Sequence, residues 1–431
     1  MKMINFQKTL ENLSEFDVAV IGGGVSGIGA AIECARQGVK VLLIERTGSL
    51  GGMLTAGHVS PPLGGFVKNT IADELLTKLN CVNGSGKSHD IENAKIIIAD
   101  MLDKAGVTVY LGCSLADVIK QDNLITHAVI TTQFGLKTVK AKIFIDATGD
   151  GVLSYLSGEK IEYGREDGLV QPMSIMFTIE NVHPEQKLLC FHEEMDTPLK
   201  NGNYLDLCER ASKTGELPST VNIVRLYRGV KETERMVNAT QVNGLNPLIA
   251  QDLGMAHTIL RKQMHQIVNF LKNNVEGFEN IKIKQSTEGV GIRESRRVIC
   301  EYVMHSKDFL EGKRHEDVIV HKASFCLDIH NPSGAGQSEQ KGRPKNCKPY
   351  DIPYRAILPL NTNNLLVAGR CISGTHRAHS SYRVMNICIN VGQSAGIAAA
   401  LSVKENLFPR KLDYKKIQAV LKQKGVDLFS E

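Results

Sequence analysis

Residues 369–386 read GRCISGTHRAHSSYRVMN, a stretch that holds two histidines, His376 and His379, and three arginines, Arg370, Arg377 and Arg383. An imidazole with an ordinary pKa of about 6.5 takes or gives a proton near neutral pH. A guanidinium beside it holds a carboxylate or an emerging oxyanion. Together they suit a dehydrogenation or its reverse, in which a base takes a proton while a cation fixes negative charge. A second basic cluster, GIRESRRV at 291–298, adds Arg293, Glu294, Arg296 and Arg297. An extended backbone there places Arg293, Ser295 and Arg297 on one face and Arg296 on the other. At least one of these arginines is expected to pair with Glu294 or Asp150. His330 in DIHNP, Tyr354 in IPYR and His58 are further polar candidates. Each of these side chains can equally serve to bond its own loop.

The elements around the opening stretch show how it is positioned. LLVAG precedes it and VGQSAGIAAAL follows, a buried strand and then a small-residue helix. The same pattern occurs near the N-terminus. FDVAVIG (16–22) reads as a buried strand, GGGVSGIGAAIECARQG as a helix closed at Gly38, and VKVLLIE (39–45) as a second strand. The three make a βαβ unit. Gly22-x-Gly24-x-x-Gly27 falls on its strand-to-helix turn. Gly22 permits the tight turn, and Gly24, with Val25 and Ser26, brings bare backbone to a pyrophosphate at the positive helix end. Gly27 allows close helix–strand packing. Glu45 ends the second strand, placed to accept ribose hydroxyls and to repel a 2′-phosphate.

Farther along, RTGSLGGMLTAGHVSPPLGGF (46–66) is a glycine-rich candidate for ligand contact. IENAKIIIADMLDKAG reads as a helix, VTVYLG as a parallel strand, and SLADVIKQDN, LITHAVITTQ and LKTVKAK as an antiparallel meander. IFIDATGDG (143–151) reads as another buried strand ending in a glycine turn. From about 170 to 360 the character changes. QPMSIMFTIE and VNIVRLYRG suggest a second sheet, and the run from Pro247 to Asn274 suggests one long helix. GAGQSEQKGRPKNCKP (334–349) reads as a loop, either a lid or a surface connection.

Composition narrows the function classes. The 431 residues carry a formal charge of +5, small for this length, which argues against a nucleic-acid binder without excluding one. No apolar run is expected to approach the roughly 18 residues of a bilayer span, and the first residues lack a signal-peptide core. Ten cysteines without a CxxC pair point to a reducing cytoplasm and to no metal site or dithiol centre.

Arg46 and GGMLTAG after Glu45, then DATGDG at 146–151 and LLVAGRCIS near the C-terminus, resemble the glutathione-reductase-like FAD superfamily. Within it the chain resembles the FAD-dependent oxidoreductase family, through GRE, QPMS, GIRESRRV, DIH, IPYR and AGRCIS…RVM…GQSAGIAAA in order. The resemblance runs from about residue 15 to 402. It implies an α/β fold: a Rossmann-like FAD-binding domain with a parallel central sheet and antiparallel meander, plus an inserted mixed α+β substrate domain. The expected boundaries are 1–170 and 356–431 for FAD binding and 171–355 for the insertion. FAD is the implied cofactor, with Gly51, Gly52 and Met53 along the isoalloxazine, backbone at Leu115 near the adenine, and the turn Ala147, Thr148, Gly149 and Asp150 over the nucleotide. At Gly369-Arg370 many superfamily members carry an acidic residue after the glycine. Arg370 is therefore expected to contact phosphate or a protein carboxylate. Val384, Met385 and Asn386 are the implied backbone donors to the pyrimidine end of the flavin, and the small residues from Gly392 to Gly396 are read as serving that end of the helix.

The opening stretch is also similar to the HGANR segment of fumarate reductase and succinate dehydrogenase flavoproteins, which makes His376 or His379, with Arg383, the implied substrate contacts. Arg293 and His330 complete the expected catalytic set. The expectation is a cytoplasmic, non-covalent FAD enzyme moving a hydride between flavin N5 and a small polar substrate, carboxylated or sugar-like. The alternative is an electron-transfer subunit fed by a partner protein. No nucleic-acid partner or membrane span is expected, and a homo-oligomer remains open.

Overall fold

β1 (Asn12–Ile21) is the centre of the main sheet. Val18 and Val20 face one side and Ala19 and Ile21 the other, as the two-residue period of a strand requires. The computed structural model describes residues 4, 7–60, 62–65, 67–81, 88–189, 198–199, 202–336 and 346–430. α1 (Val25–Arg36) follows, then β2 (Val41–Glu45), α2 (Ile71–Lys78), α3 (Ile91–Ala105) and β3 (Thr108–Leu111). β4 (Leu115–Gln121), β5 (Leu124–Thr132) and β6 (Gly135–Asp146) form the meander. The sheet order is β3-β2-β1-β6-β5-β4, with parallel pairing from β3 to β6 and antiparallel pairing beyond. The segments LKTVKAK and IFID, expected as two strands, are one. β6 pairs antiparallel with β5 over residues 135–140 and parallel with β1 from Thr138 to Asp146. Around residues 138–140 the chain pairs on both sides at once, so nothing breaks it between the two segments.

α4 (Val152–Leu156) and β7 (Ile161–Tyr163) lead to a second sheet of β8 (Phe177–Glu180), β11 (Arg225–Arg228), β12 (Arg235–Asn238) and β13 (Lys282–Ser286), ordered β11-β12-β8-β13. β9 (Pro198–Leu199), β10 (Gly202–Asn203), α5 (Tyr204–Thr214) and α6 (Ala250–Asn274) lie between these strands in sequence. QPMSIMFTIE is a strand in its last four residues alone, while Met173 and Ser174 make isolated bridges to Val242 and Gly291. α5 and α6 pack on this sheet through Tyr204, Cys208, Leu260, Met264 and Ile267, forming a separate apolar core. The chain then passes through β14 (Arg296–Val298), α7 (Ser306–Glu311), β15 (Val318–Ala323) and β16 (Tyr350–Pro353). Their apolar side chains join the first core. Of the 334–349 loop, residues 337–345 lie outside the described residues.

β17 (Leu365–Val367) pairs parallel with the end of β6. Four parallel strands, β1, β2, β6 and β17, thus end along one edge, the edge at which α/β folds bind ligands. α8 (His376–Tyr382), α9 (Met385–Glu405) and α10 (Tyr414–Gln423) complete the chain. α9 crosses α1 at a distance that side chains would forbid. A Cβ at Gly392 would stand 2.0 Å from Ser26 O, one at Gly396 2.4 Å from Ala30 O, and one at Gly29 2.5 Å from Ile389 O. The small residues of α9 therefore serve this crossing and not its N-terminus. Contrary to the expectation that no apolar run approaches a span, α9 is long and apolar enough to cross a membrane, but 89% of its apolar window is buried inside the protein.

Candidate active site

The strand ends converge on α1. Gly22 takes φ +107°, and a Cβ there would meet Ala147 O at 2.5 Å. At Gly27 it would meet Gly22 O at 1.8 Å. At Gly24 it would meet nothing within 4 Å. The turn is thus packed shut on either side and open in the middle. α1 has neither a side-chain cap nor an acidic residue in its first turn, so the N–H groups of Val25 and Ser26 remain at its positive end. Glu45, buried at the end of β2, accepts from Gly23 N at 2.7 Å and from the Thr47 backbone and hydroxyl at 2.8 Å. Three of its roughly four lone-pair positions are taken, which leaves one to accept a ligand hydroxyl. Arg46 beside it is exposed. Cys113 N donates to Glu45 O, which brings the start of β4 at Leu115 to the same edge.

Gly51 and Gly52, at φ +102° and +52°, bend the loop so that Gly51 bridges to Gly24. Met53 reaches across to Gly291, its methyl 3.5 Å from where a Cβ would sit. Asp146 is fully buried and fixes the next turn: one oxygen accepts from Thr148 N and Oγ1, the other from Ser154 N and Oγ. Gly149 leaves room for the Arg370 guanidinium, which pairs with Asp150. The expected contact of Arg370 is therefore to a protein carboxylate, and Asp150 also accepts from Ser295 Oγ. Gly369, at φ +90°, lies against Ser26.

α9 begins at Val384 without a side-chain cap or an acidic first turn. Of the three expected backbone donors, Asn386 is corrected. Its N–H already donates to Leu63 O, and its side-chain amide donates to Gly64 O. The Oδ1 atoms of Asn386 and Asn390 are buried without a partner.

Just upstream the polar candidates divide between two carboxylates. Glu294, fully buried, accepts from Arg297 Nη1 at 2.5 Å, from Gln171 N at 3.0 Å and from His376 Nδ1 at 2.9 Å. Arg297 also donates to Gly164 O and Gly374 O. Asp328 holds Arg383, whose Nη2 lies 3.1 Å from Oδ2 and 3.0 Å from the Asp328 carbonyl, and His330, whose Nε2 is 3.5 Å from Oδ2. Gln171 links the two groups, for its Oε1 accepts from His330 N. Burial would raise the Asp328 carboxyl, but His330 and Arg383 more than offset this and hold it far below the usual range. Burial, then Arg293, push the His330 imidazole down to about 4. Burial together with Arg297, Arg383 and Arg370 holds His379 well below its ordinary value, and its Nδ1 is buried without a partner.

Arg293, Ser295 and Arg297 do not share a face. The regular strand begins at Arg296, and the irregular chain before it sends Arg293 to Pro172 O at 2.8 Å, Ser295 to Asp150 and Arg297 to Glu294. Arg296 stacks on Tyr155 at 4.3 Å. Tyr354 is a core residue whose hydroxyl donates to Pro409 O. His58, at φ +52°, carries a buried, unpartnered Nδ1 beside the glycine loop. Sequence reasoning did not single out Gln171 or Asp328, although both lie in motifs that were noticed, QPMS and DIH. A buried polar residue that bonds through backbone and side chain at once leaves no periodic signal.

The Rossmann-like sheet and the open glycine cradle at its strand ends define a dinucleotide-binding protein. The chain belongs to the FAD dependent oxidoreductase family, whose model matches residues 17–421. FAD is accordingly its cofactor, and its role is flavin redox chemistry. Among curated relatives it is 33% identical over 173 residues to thiamine thiazole synthase of Methanococcus vannielii, a match to 36% of this chain and 65% of the relative. It is 31% identical over 163 residues to that of Pyrococcus horikoshii, across 34% and 62%. The chain thus spans less than two thirds of these relatives. A solved geranylgeranyl bacteriochlorophyll reductase-like protein from Thermoplasma acidophilum is 14% identical, with a TM-score of 0.45 and coverage of 95% and 83%.

The residues present fit FAD. The open backbone at Gly24 lies beside the uncapped first turn of α1, as a pyrophosphate needs. Glu45 suits the ribose. The uncapped start of α9 suits a ring that gains negative charge.

Proposed function

We propose that this protein transfers a hydride between FAD and an oxygen-bearing carbon of a small polar substrate, carboxylated or sugar-like. The observation that carries the reading is the Arg383–Asp328–His330 group, set one residue before the Val384 N-cap of α9. Bound FAD supplies a two-electron carrier at N5. Everything else falls to the chain. Arg383 keeps its buried Nε unpaired, and it faces the substrate oxygen as negative charge grows there. His330, neutral at pH 7, takes or returns the substrate proton. Asp328 orients its ring. His376 is a positioning residue that fixes the start of α8 through Glu294. His379, also neutral, is the second candidate proton acceptor.

In this reading residues 171–355 form the substrate domain, inserted between FAD-binding parts 1–170 and 356–431. Thiazole synthesis, the activity that names the matched relatives, is not adopted, because the match covers 36% of this chain. Anaerobic stopped-flow reduction of the bound flavin tests the assignment, with lactate, glycolate, tartrate and aldonates as reductants. A compound that reduces wild type should reduce Arg383→Ala about 100-fold more slowly, the worth of a strong charge-assisted bond. Equal rates with FAD retained would sink the role of Arg383.

A further inference from the structure

The second sheet packs one face on α5 and α6 and turns the other toward the glycine-rich loop. Phe177, Ile179 and Val237 belong to the core on the helix side. Thr178 therefore faces the other way, and its partners directly across the sheet, Met236 on β12 and Gln285 on β13, share its side. This row floors a cavity of about 210 Å³, whose opposite wall is formed by the glycine-rich loop at His58 and the start of α3. One water needs roughly 10–15 Å³, so the cavity has room for a molecule on the order of ten non-hydrogen atoms. Arg383, Asp328 and His330 do not line it.

Much of the polar lining is already committed. Ser60 Oγ and His89 Nδ1 bond each other at 3.1 Å, His89 Nε2 bonds Leu54 O at 2.7 Å, and Ser88 Oγ donates to Arg228 O. The charges are matched as well. Lys284 holds Glu234 at 2.9 Å, Lys95 holds Glu92 at 2.7 Å, and Asp90 caps α3 through Asn93 N. Burial, then Lys95, push the His58 imidazole down, so it is neutral at pH 7. Its Nδ1 is buried without a partner. An unpaired buried N–H is tolerated less than an unpaired lone pair, so the ring proton sits on Nε2. Among the described residues that line the cavity, three uncharged side chains thus keep a group to offer: the Nε2–H of His58, the Thr178 hydroxyl and the Gln285 carboxamide. Met236 and Ile91, both buried, add apolar surface.

We propose that this cavity is a second ligand site, separate from the Arg383–Asp328–His330 group, and that it takes a small neutral heterocycle with a donor and an acceptor side by side, as on a nucleobase or an aromatic carboxamide. A carboxamide such as that of Gln285 offers an N–H and a C=O together, and it pairs with such an edge through two bonds, as glutamine does with adenine. The Thr178 hydroxyl donates or accepts as the ligand requires, and His58 donates. Met236 and Ile91 take the ring surface. A charged ligand would find no unmatched opposite charge on the walls, and a plain hydrocarbon would leave the three polar groups unpaired. The ligand would touch the glycine-rich loop and the second sheet at once. No covalent step is involved.

Ligand-observed NMR titration of the FAD-loaded protein tests it, with adenine and nicotinamide as probes against benzoate, benzylammonium and toluene, which are of similar size. FAD is kept bound so that adenine cannot enter the cofactor's own adenine position. At least one of the two heterocycles should bind saturably, and more tightly than the anion, the cation and the hydrocarbon. Gln285→Met, which keeps the length of the side chain, should weaken that binding at least 10-fold, and Thr178→Val, which keeps its shape, about 5-fold. Retained flavin absorption shows that each variant is folded. Saturable binding of neither heterocycle, binding of benzoate, benzylammonium or toluene as tight as theirs, or wild-type affinity in both variants would each overturn the site. The readout uses oxidised flavin and no turnover, so it stands or falls apart from the hydride-transfer reading.

Discussion

Gly24 and Gly27 stand in one turn, yet alanine should fail at them for opposite reasons. At Gly27 the new Cβ lies 1.8 Å from Gly22 O, where favourable contact begins at about 3.5 Å. The first turn of α1 must withdraw by more than about 1.5 Å, at a cost of about 3 kcal/mol, the upper end for an overpacked site. For 431 residues the unfolding entropy is about 0.9 kcal/mol/K, so the melting temperature falls by about 3 °C. At Gly24 the Cβ meets no atom within 4 Å, and φ −69°, ψ −179° is a conformation that alanine adopts freely. Gly24→Ala therefore keeps the stability of the apoprotein, or gains about 0.5 kcal/mol by restricting the unfolded chain. Its methyl fills the space beside the uncapped N–H groups of α1. FAD affinity should fall about 100-fold, equivalent to about 2.7 kcal/mol. Calorimetry of the apoprotein and quenching of flavin fluorescence on FAD addition read the two effects apart. A Gly24→Ala protein that binds FAD as tightly as wild type would refute the placement of the pyrophosphate.

Glu294→Gln removes the charge opposite Arg297 in a fully buried pair and should cost about 3–5 kcal/mol. Denaturant unfolding measures the loss, and a change below about 1 kcal/mol would show that the network is not held by that carboxylate. Stability should also depend on pH through His330, whose imidazole burial and Arg293 hold at about 4, against about 6.5 in the unfolded chain. Between those values the unfolded state binds more protons, so stability is full above about pH 6.5 and declines as the pH falls toward 4, by about 2 kcal/mol at pH 5. His330→Gln should flatten that part of the profile in denaturant midpoints taken at pH 7 and 5. An unchanged slope would contradict the buried, neutral imidazole.

The parts of the fold legible in the sequence are those governed by local rules. The turn at Gly22, Gly24 and Gly27 needs glycine whatever the rest of the chain does, and α1, β1 and β2 follow from it. β6 escaped that reading because its start continues the hairpin from β5, while the rest of it is set by β1, more than 100 positions away. Arg293, Ser295 and Arg297 were legible as chemistry but not as geometry. A two-residue alternation holds where a strand is regular, and here it begins at Arg296. The partners of the cations are long-range: Arg383 finds Asp328 across 55 residues, His376 finds Glu294 across 82, and Arg370 finds Asp150 across 220. Gly392 and Gly396 were visible as small residues, but the helix they approach lies more than 350 positions away, so they were tied to the wrong end of α9.

The most direct test of the central claim is an anaerobic titration of the purified, FAD-loaded protein, following its visible flavin absorption. Small hydroxy acids, neutral polyols and NADH would be added separately, with dithionite as the control that the flavin can be reduced. The account predicts that at least one hydroxy acid or polyol of the panel bleaches the flavin. A flavin bleached by dithionite and by NADH, but by no acid or polyol in the panel, would contradict it.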